Sequence, residues 1–171
     1  MPELAFFSRI LDDAPPAERY AHALEQIRAA ESLGFDSAWV AQHHFNGAEG
    51  GLPAPLVFLA HAAAVTERIA LGTGIITLGM EHPVRLVEDA AVLDALTGGR
   101  LELGFGSGGS PSSFPAFGLD FAERHSAFDQ NLDAFLGALA GEPIGPGENR
   151  LYPPAPRLAE RLWFATFSEP L

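Results

Sequence analysis

Two adjacent histidines, His43 and His44, form the first candidate site that the sequence offers for chemistry. Imidazole titrates near neutral pH, so either side chain could accept or donate a proton. The pair follows an apolar run, and neighbouring residues of a strand point to opposite faces, so we expect only one ring to reach a common pocket. A structural role is the alternative for each histidine. A metal site is disfavoured, because the sequence has no cysteine and no close-spaced third ligand.

A glycine-rich segment, residues 104–109, is the second candidate and formally contains the pattern GxGxxG. In dinucleotide-binding folds this pattern opens directly into a helix whose amino terminus holds pyrophosphate. Here Ser110 and Pro111 follow, and such a run does not favour the start of a regular helix. We therefore interpret Gly106 and Ser107 as part of a loop whose backbone can approach a flat ring closely. A plain flexible loop is the alternative.

A third candidate is the segment Thr166-Phe167-Ser168, which follows the apolar run 162–165. Hydroxyl and backbone N–H groups at the end of a strand could bind a phosphate. The signal is weak by itself, because many loops contain such residues.

The elements that would position these sites alternate between strand and helix. Apolar runs predict strands at residues 4–7, 37–41, 100–105 and 162–165, with one more within 68–78. Helical periodicity predicts helices at about 16–34, 55–65, 83–96 and 121–139. This alternation indicates βα units and a parallel sheet, with all three sites at carboxyl ends of strands. Four βα units and a fifth strand fit either part of an eight-stranded barrel or an open doubly wound sheet.

Composition excludes several classes of function. The 171-residue chain carries a formal charge of −12, and all ten basic residues are arginine without a basic stripe, which disfavours nucleic-acid binding. No apolar run is long enough to span a bilayer, and the first residues do not form a secretory signal. We therefore expect a cytoplasmic protein that binds neither nucleic acid nor membrane.

Longer segments of the sequence resemble a known family. They are residues 33–40, 42–45, 66–74, 82–85 with Glu88 and Asp89, and 93–104. In their order and spacing over residues 4–118, these segments resemble the bacterial luciferase family of flavin-dependent monooxygenases. Residues 162–168 resemble the fifth strand of that family more loosely.

The resemblance implies a parallel (β/α)8 barrel of the TIM type, truncated to about four βα units and strand five, as a single domain over residues 1–171. It implies an oxidoreductase that uses reduced FMN and O2 to oxidise a small organic substrate, with deazaflavin as the alternative cofactor and a separate flavin reductase as a partner. It assigns acid–base chemistry to His43 and the pocket wall to His44. The resemblance places the cofactor against the residues Thr73, Gly74, Gly106, Ser107 and Ser168.

The chain departs from the family at two residues and in its length. Gln42 stands where the family commonly has Glu, and Ser107 stands where it can have Arg. Because strands six to eight are expected to be absent, we expect a fragment or truncated product that pairs with another copy. One alternative is a non-catalytic half barrel that binds flavin or only associates with itself. The other is an open α/β nucleotide-binding domain, which would need a helix starting at Gly109.

Overall fold

In the computed structural model, which describes residues 3–165, six parallel strands form one open sheet. The strands are β1 (Ala5–Ser8), β2 (Ser37–Val40), β3 (Ala70–Thr73), β4 (Ile76–Thr77), β5 (Leu101–Gly106) and β6 (Leu162–Phe164). β1, β2, β3 and β5 are neighbours in that order, β4 pairs with β5 beyond the end of β3, and β6 pairs with β5 on its other side. The predicted parallel sheet is confirmed, and in the described residues it does not close into a barrel.

Four α-helices connect the strands, as predicted, with small differences at their ends. They are α1 (Pro16–Ser32), α2 (Pro55–Ala63), α3 (Pro83–Thr97) and α4 (Arg124–Leu139). The first three begin at a proline, whose fixed φ suits the first helical turn and whose missing N–H is no loss there. Helix α4 begins three residues later than predicted, because residues 121–123 form a 3-10 turn instead. Within residues 3–165, no helix combines the length and hydropathy needed to cross a bilayer.

The two faces of the sheet have different surroundings. One face packs against the helices, where alternate strand residues such as Val40, Leu71 and Phe105 are completely buried. The opposite face carries Trp39 and Trp163, whose rings meet edge to face with centroids 5.7 Å apart. Gly72 lies against the Trp39 ring. A Cβ at residue 72 would be only 2.3 Å from the indole ring, so there is no room for a side chain there. The helix-covered face is therefore the core, and the open face is lined by aromatic side chains.

The predicted third strand is interrupted, because one extra residue bulges out between β3 and β4. Gly72 pairs with Glu102 and Ile76 pairs with Phe105, so four steps along one strand match three along the other. Thr73 spans the gap, since its hydroxyl accepts from the Gly104 N–H at 2.8 Å and donates to the Gly104 carbonyl at 3.1 Å. The bulge leaves Ile75 at φ +141°, a conformation that a β-branched residue rarely adopts.

Two charged side chains at the amino ends of the strands, Glu31 and Arg100, each make several hydrogen bonds. The Glu31 carboxylate accepts from the backbone N–H groups of residues 67, 68 and 69 at 2.7–3.0 Å, just before β3. Arg100, just before β5, donates to the carbonyls of Thr97, Thr66 and Ile69. The Glu31 carboxylate and the Arg100 guanidinium thus hold the backbone where β3 and β5 begin. We expect these hydrogen bonds to stabilise the amino end of the sheet.

Candidate functional site

A cleft of about 1190 Å³ opens at the carboxyl ends of the strands. Its wall comes from the segments that follow β1, β2, β3, β5 and β6, together with one side of α4. Ligands of parallel α/β folds bind at this edge of the sheet. Residues of the wall include Phe7, Arg9, His43, His44, Gly74, Ile75, Met80, Gly106, Ser107, Phe114, Arg124 and Phe128.

Both histidines of the adjacent pair line this cleft, so the expectation that only one ring would reach it is wrong. The alternation of strand side chains does not apply to them, because β2 ends at Val40 and the chain is irregular from Ala41 onward. The His43 N–H donates to the Leu52 carbonyl at 3.0 Å, which turns the loop after β2 back on itself.

Each imidazole of the pair has one buried nitrogen with no hydrogen-bond partner among the described residues. For His43 this atom is Nδ1, and for His44 it is Nε2. Gly50 packs against the His43 ring so closely that a Cβ at residue 50 would be 2.3 Å from Nδ1. Phe117 covers His44 edge to face, with ring centroids 4.9 Å apart. The other nitrogen of each ring, Nε2 of His43 and Nδ1 of His44, is not among the buried atoms that lack a partner.

The environment of the cleft favours the neutral form of both imidazoles. Burial lowers the pKa of His43 below its ordinary value, the Arg9 guanidinium lowers it further, and Glu49 acts in the opposite direction. Burial also lowers the pKa of His44, opposed by the Glu81 carboxylate. The surroundings of both rings thus favour the neutral form, which is the form that can accept a proton.

The remaining predicted site residues divide into three groups. Gly74, Gly106 and Ser107 line the cleft with the histidines. Thr73 is completely buried and bonds both polar backbone atoms of Gly104, so its side chain supports the wall instead of forming it. Ser168, with the rest of the segment 166–168, lies outside the described residues.

The glycine-rich segment does not lead into an α-helix. Residues 111–117 form a 3-10 helix, with Ser110 before it and Gly118 at φ +72° after it. A pyrophosphate site of the dinucleotide-binding kind needs an α-helix that starts directly at the glycines. The arrangement agrees with a loop that forms a wall, and it lacks the helix that the nucleotide-binding alternative requires at Gly109.

Two arginines of the cleft were missed by the sequence analysis. Arg9 follows β1 directly, so the rule that active groups lie at carboxyl ends of strands could have found it. Arg124 is the first residue of α4, and its guanidinium lies 4.2 Å from the centre of the Phe121 ring. No sequence signal separates it from an ordinary surface arginine. In an acidic chain, the two cations make this cleft suited to an anionic group.

Comparison with known proteins identifies the family. The sequence profile of the luciferase-like monooxygenases matches residues 4–170. The 4-hydroxyprotoasukamycin monooxygenase of Streptomyces nodosus subsp. asukaensis is 38% identical over 122 residues, which are 71% of this chain and 33% of that protein.

Two solved structures share the fold. The monooxygenase RslO1 from Streptomyces bottropensis has a TM-score of 0.75 at 29% identity, over 88% of this chain and 47% of RslO1. The oxygenating constituent of 3,6-diketocamphane monooxygenase from Pseudomonas putida, solved in complex with FMN, has a TM-score of 0.78 at 22% identity, over 83% of this chain and 40% of its own. The chain thus spans between a third and a half of these proteins. It belongs to the luciferase-like monooxygenase family.

Proposed function

We propose that the cleft binds reduced FMN and serves a flavin-dependent monooxygenase that oxidises a small organic substrate. The observation that carries this proposal is that His43 and His44 both lie on the wall of one large cleft at the carboxyl edge of the sheet. Burial there lowers the pKa of both imidazoles. Within residues 3–165, each of these rings has one buried nitrogen without a hydrogen-bond partner. Membership of the family supports the same function.

The residues of the cleft fit the two chemically distinct parts of a flavin. An apolar, flat ring suits the wall formed by Gly74, Ile75 and Gly106, where backbone and aliphatic groups can lie against it. A phosphate suits Arg9 and Arg124, because guanidinium groups make strong hydrogen bonds to phosphate oxygens. Ser107 lies on the same wall and adds a hydroxyl donor.

His43 is proposed as the acid–base group of the reaction. When bound, reduced flavin supplies the capacity to react with O2 and transfer an oxygen atom. The protein positions the reacting groups and holds a proton at the right place. Because Nδ1 of His43 is packed against Gly50, Nε2 is the atom that would accept and return the proton. The lowered pKa of His43 keeps this nitrogen available as a base below pH 7.

Two partners belong to the proposal. The reduced flavin is delivered by a separate reductase. A second copy of the chain is the other partner, because within residues 3–165 the outermost strands β1 and β6 pair on one side only. Phe7 and Trp163, which lie on these strands, are each 55% exposed, and exposed apolar edges favour association. Light scattering is expected to give at least twice the mass of one chain.

An anaerobic titration tests the cofactor assignment and separates its two parts. Reduced FMN should bind saturably, as followed by flavin absorbance, and reduced riboflavin should bind more weakly because it lacks the phosphate. Arg124→Ala should weaken reduced FMN about tenfold without changing riboflavin affinity. Arg28→Ala, which removes an exposed arginine of α1, is the matched control. Failure of the wild-type chain to bind reduced FMN contradicts the proposal.

A second experiment tests the role of His43. His43→Ala should leave the affinity for reduced FMN within about threefold, because removing a neutral ring costs no charge pairing. Substrate-dependent O2 consumption should be lost across a panel of small organic substrates. Unchanged O2 consumption in the variant removes His43 from the mechanism.

A further inference from the structure

The loop that follows β2, residues 43–52, is held in place by side chains from one short segment of the chain. Three alternate carbonyls of this loop each accept a hydrogen bond from one side chain, and the pairs are Arg19 with Gly47, Arg9 with Glu49, and Tyr20 with Gly51. All three donors lie within residues 9–20, between the end of β1 and the beginning of α1. The loop that carries the histidine pair is therefore bonded along its length to the segment after β1.

Tyr20 makes the contact at the end of this loop. Its hydroxyl donates to the Gly51 carbonyl at 2.9 Å. Its half-buried ring packs against Phe58 of α2, with ring centroids 6.2 Å apart, so the position of the hydroxyl is set by the contact between two helices. Tyr20 itself lies outside the wall of the cleft, so any effect that it has on the site must pass through the loop.

Two glycines, Gly50 and Gly51, lie between the end of β1 and the His43 ring. The Gly51 N–H donates to the Arg9 carbonyl at 3.1 Å, and a Cβ at residue 51 would be 2.7 Å from the Ile10 carbonyl oxygen. A Cβ at residue 50 would be 2.3 Å from Nδ1 of His43 and 2.7 Å from Cγ. The backbone of residues 50–51 therefore packs against β1 on one side and against the imidazole on the other.

The contact with Gly50 limits the orientations that are open to the His43 ring. An imidazole can turn about two side-chain torsions, and within residues 3–165 no hydrogen bond holds Nδ1 of His43. That side of the ring is held by packing against the Gly50 backbone. A functional side chain keeps its geometry when its neighbours are themselves fixed by hydrogen bonds, and the bond from Tyr20 to the next residue, Gly51, is of this kind.

We propose that Tyr20 is a positioning residue of the site, whose hydroxyl holds the backbone of Gly50 and Gly51 against His43 and so fixes the orientation of the imidazole. Tyr20 is not a catalytic residue, because it acts through the two glycines. The consequence for turnover rests on the proposed function, in which His43 exchanges a proton. The claim about the ring does not, because it concerns contacts within the chain itself.

Tyr20→Phe tests the proposal in the chain without flavin. The substitution removes one hydroxyl and keeps the ring that packs against Phe58. The 15N imidazole signals of His43, followed by NMR against pH, should shift and broaden because the ring is no longer held in one orientation. The signals of His44 should stay unchanged, because Phe117 covers that ring from a different loop.

Tyr152→Phe is the matched control, because Tyr152 is the other tyrosine of the chain and is 83% exposed. It should leave the signals of both histidines as in the wild type. Unchanged His43 signals in Tyr20→Phe overturn the proposal. Equal changes at His43 and His44, as from a general loosening of the fold, overturn it as well. Because no flavin is present, a failed FMN titration would count against the proposed function and leave the role of Tyr20 standing.

Discussion

The two ends of the sheet differ in how far their polar side chains are hydrogen-bonded. At the amino end, Arg161 forms a two-pronged pair with Asp94 at 2.7 and 3.1 Å and also donates to the carbonyls of Gly99 and Leu101. At the carboxyl end, His43 and His44 each keep a buried nitrogen without a partner in the described residues. Arg161 and Asp94 are thus paired with each other at one end, whereas the two histidines at the other end keep buried nitrogens without partners in the described residues.

Backbone strain shows the same division. Within residues 3–165, three residues other than glycine have positive φ, namely Ile10, Phe45 and Ile75, and they follow β1, β2 and β3 respectively. Such conformations cost of order 1–3 kcal/mol each and persist where the surroundings impose them. All three lie at the end that holds the cleft. Ion pairs and multiple hydrogen bonds thus lie at the amino end, and strained backbone lies at the end that holds the cleft.

The largest expected effect comes from breaking the amino end. Asp94→Ala leaves the Arg161 guanidinium without its carboxylate in a place where the two side chains are 19% and 13% exposed. We expect a loss of about 2 kcal/mol in the free energy of unfolding, between the values typical of exposed and fully buried pairs. Urea unfolding followed by circular dichroism measures it.

Arg85→Ala provides the matched control for that variant. Arg85 pairs with Glu88 and Asp89 on the surface of α3, so its loss should cost less than about 1 kcal/mol. Equal losses in the two variants would contradict a special role for the amino end.

A smaller effect, confined to the carboxyl end, is expected from Gly50→Ala. The new Cβ would be 2.3 Å from Nδ1 of His43, so the imidazole must move. We expect the NMR signals of His43 to shift, while the affinity for reduced FMN stays within about threefold, as in His43→Ala. Gly47→Ala in the same loop is the control, because its Cβ would meet only an arginine nitrogen at an ordinary 3.7 Å. An unmoved His43 in Gly50→Ala would show that the loop gives way instead.

The smallest effect is a change in pH dependence at the amino end. Burial alone would raise the pKa of Glu31, but its three backbone donors outweigh burial and lower the pKa below the ordinary 4.5. The unfolded chain then takes up the proton first, so this stabilisation is present above pH 4.5 and is lost as the pH falls through the folded-state value.

Glu31→Gln should therefore cost about 1 kcal/mol at pH 7 and show a flatter loss of stability below pH 4.5. Urea midpoints measured from pH 3.5 to 7 test this. Glu25→Gln on the same helix is the control, since the Glu25 side chain accepts no hydrogen bond within residues 3–165. If both variants lose stability in parallel with the wild type on acidification, Glu31 is not a structural acid.

The sequence was sufficient for the fold because the local signals agree with the tertiary structure. Prolines begin three helices, and Gly34 at φ +88° and Gly98 at φ +65° follow α1 and α3. Apolar runs mark the strands, and in a parallel sheet their carboxyl ends meet at one edge. That rule predicted the histidine pair and the glycine-rich segment with Gly106 and Ser107 at one edge, although only one histidine was expected to reach the pocket. Gly74 was predicted from the family resemblance, and all five residues line the cleft.

What could not be predicted depends on register and on contacts between distant segments. The bulge between β3 and β4 depends on the pairing with β5, which no local pattern encodes. The hydrogen bond from the Gln42 amide to the Glu81 carboxylate joins residues 39 positions apart. In the sequence Glu81 stands just before α3, and no local pattern indicates that Gln42 lies beside it.

The most direct test of the division between the two ends is an amide NMR spectrum of the 15N-labelled chain with and without reduced FMN under anaerobic conditions. The account predicts shifts at His43, Gly74 and Gly106, and unchanged signals at Glu31 and Arg100. Shifts centred on Glu31 and Arg100, or saturable binding that leaves the cleft signals unmoved, would contradict it.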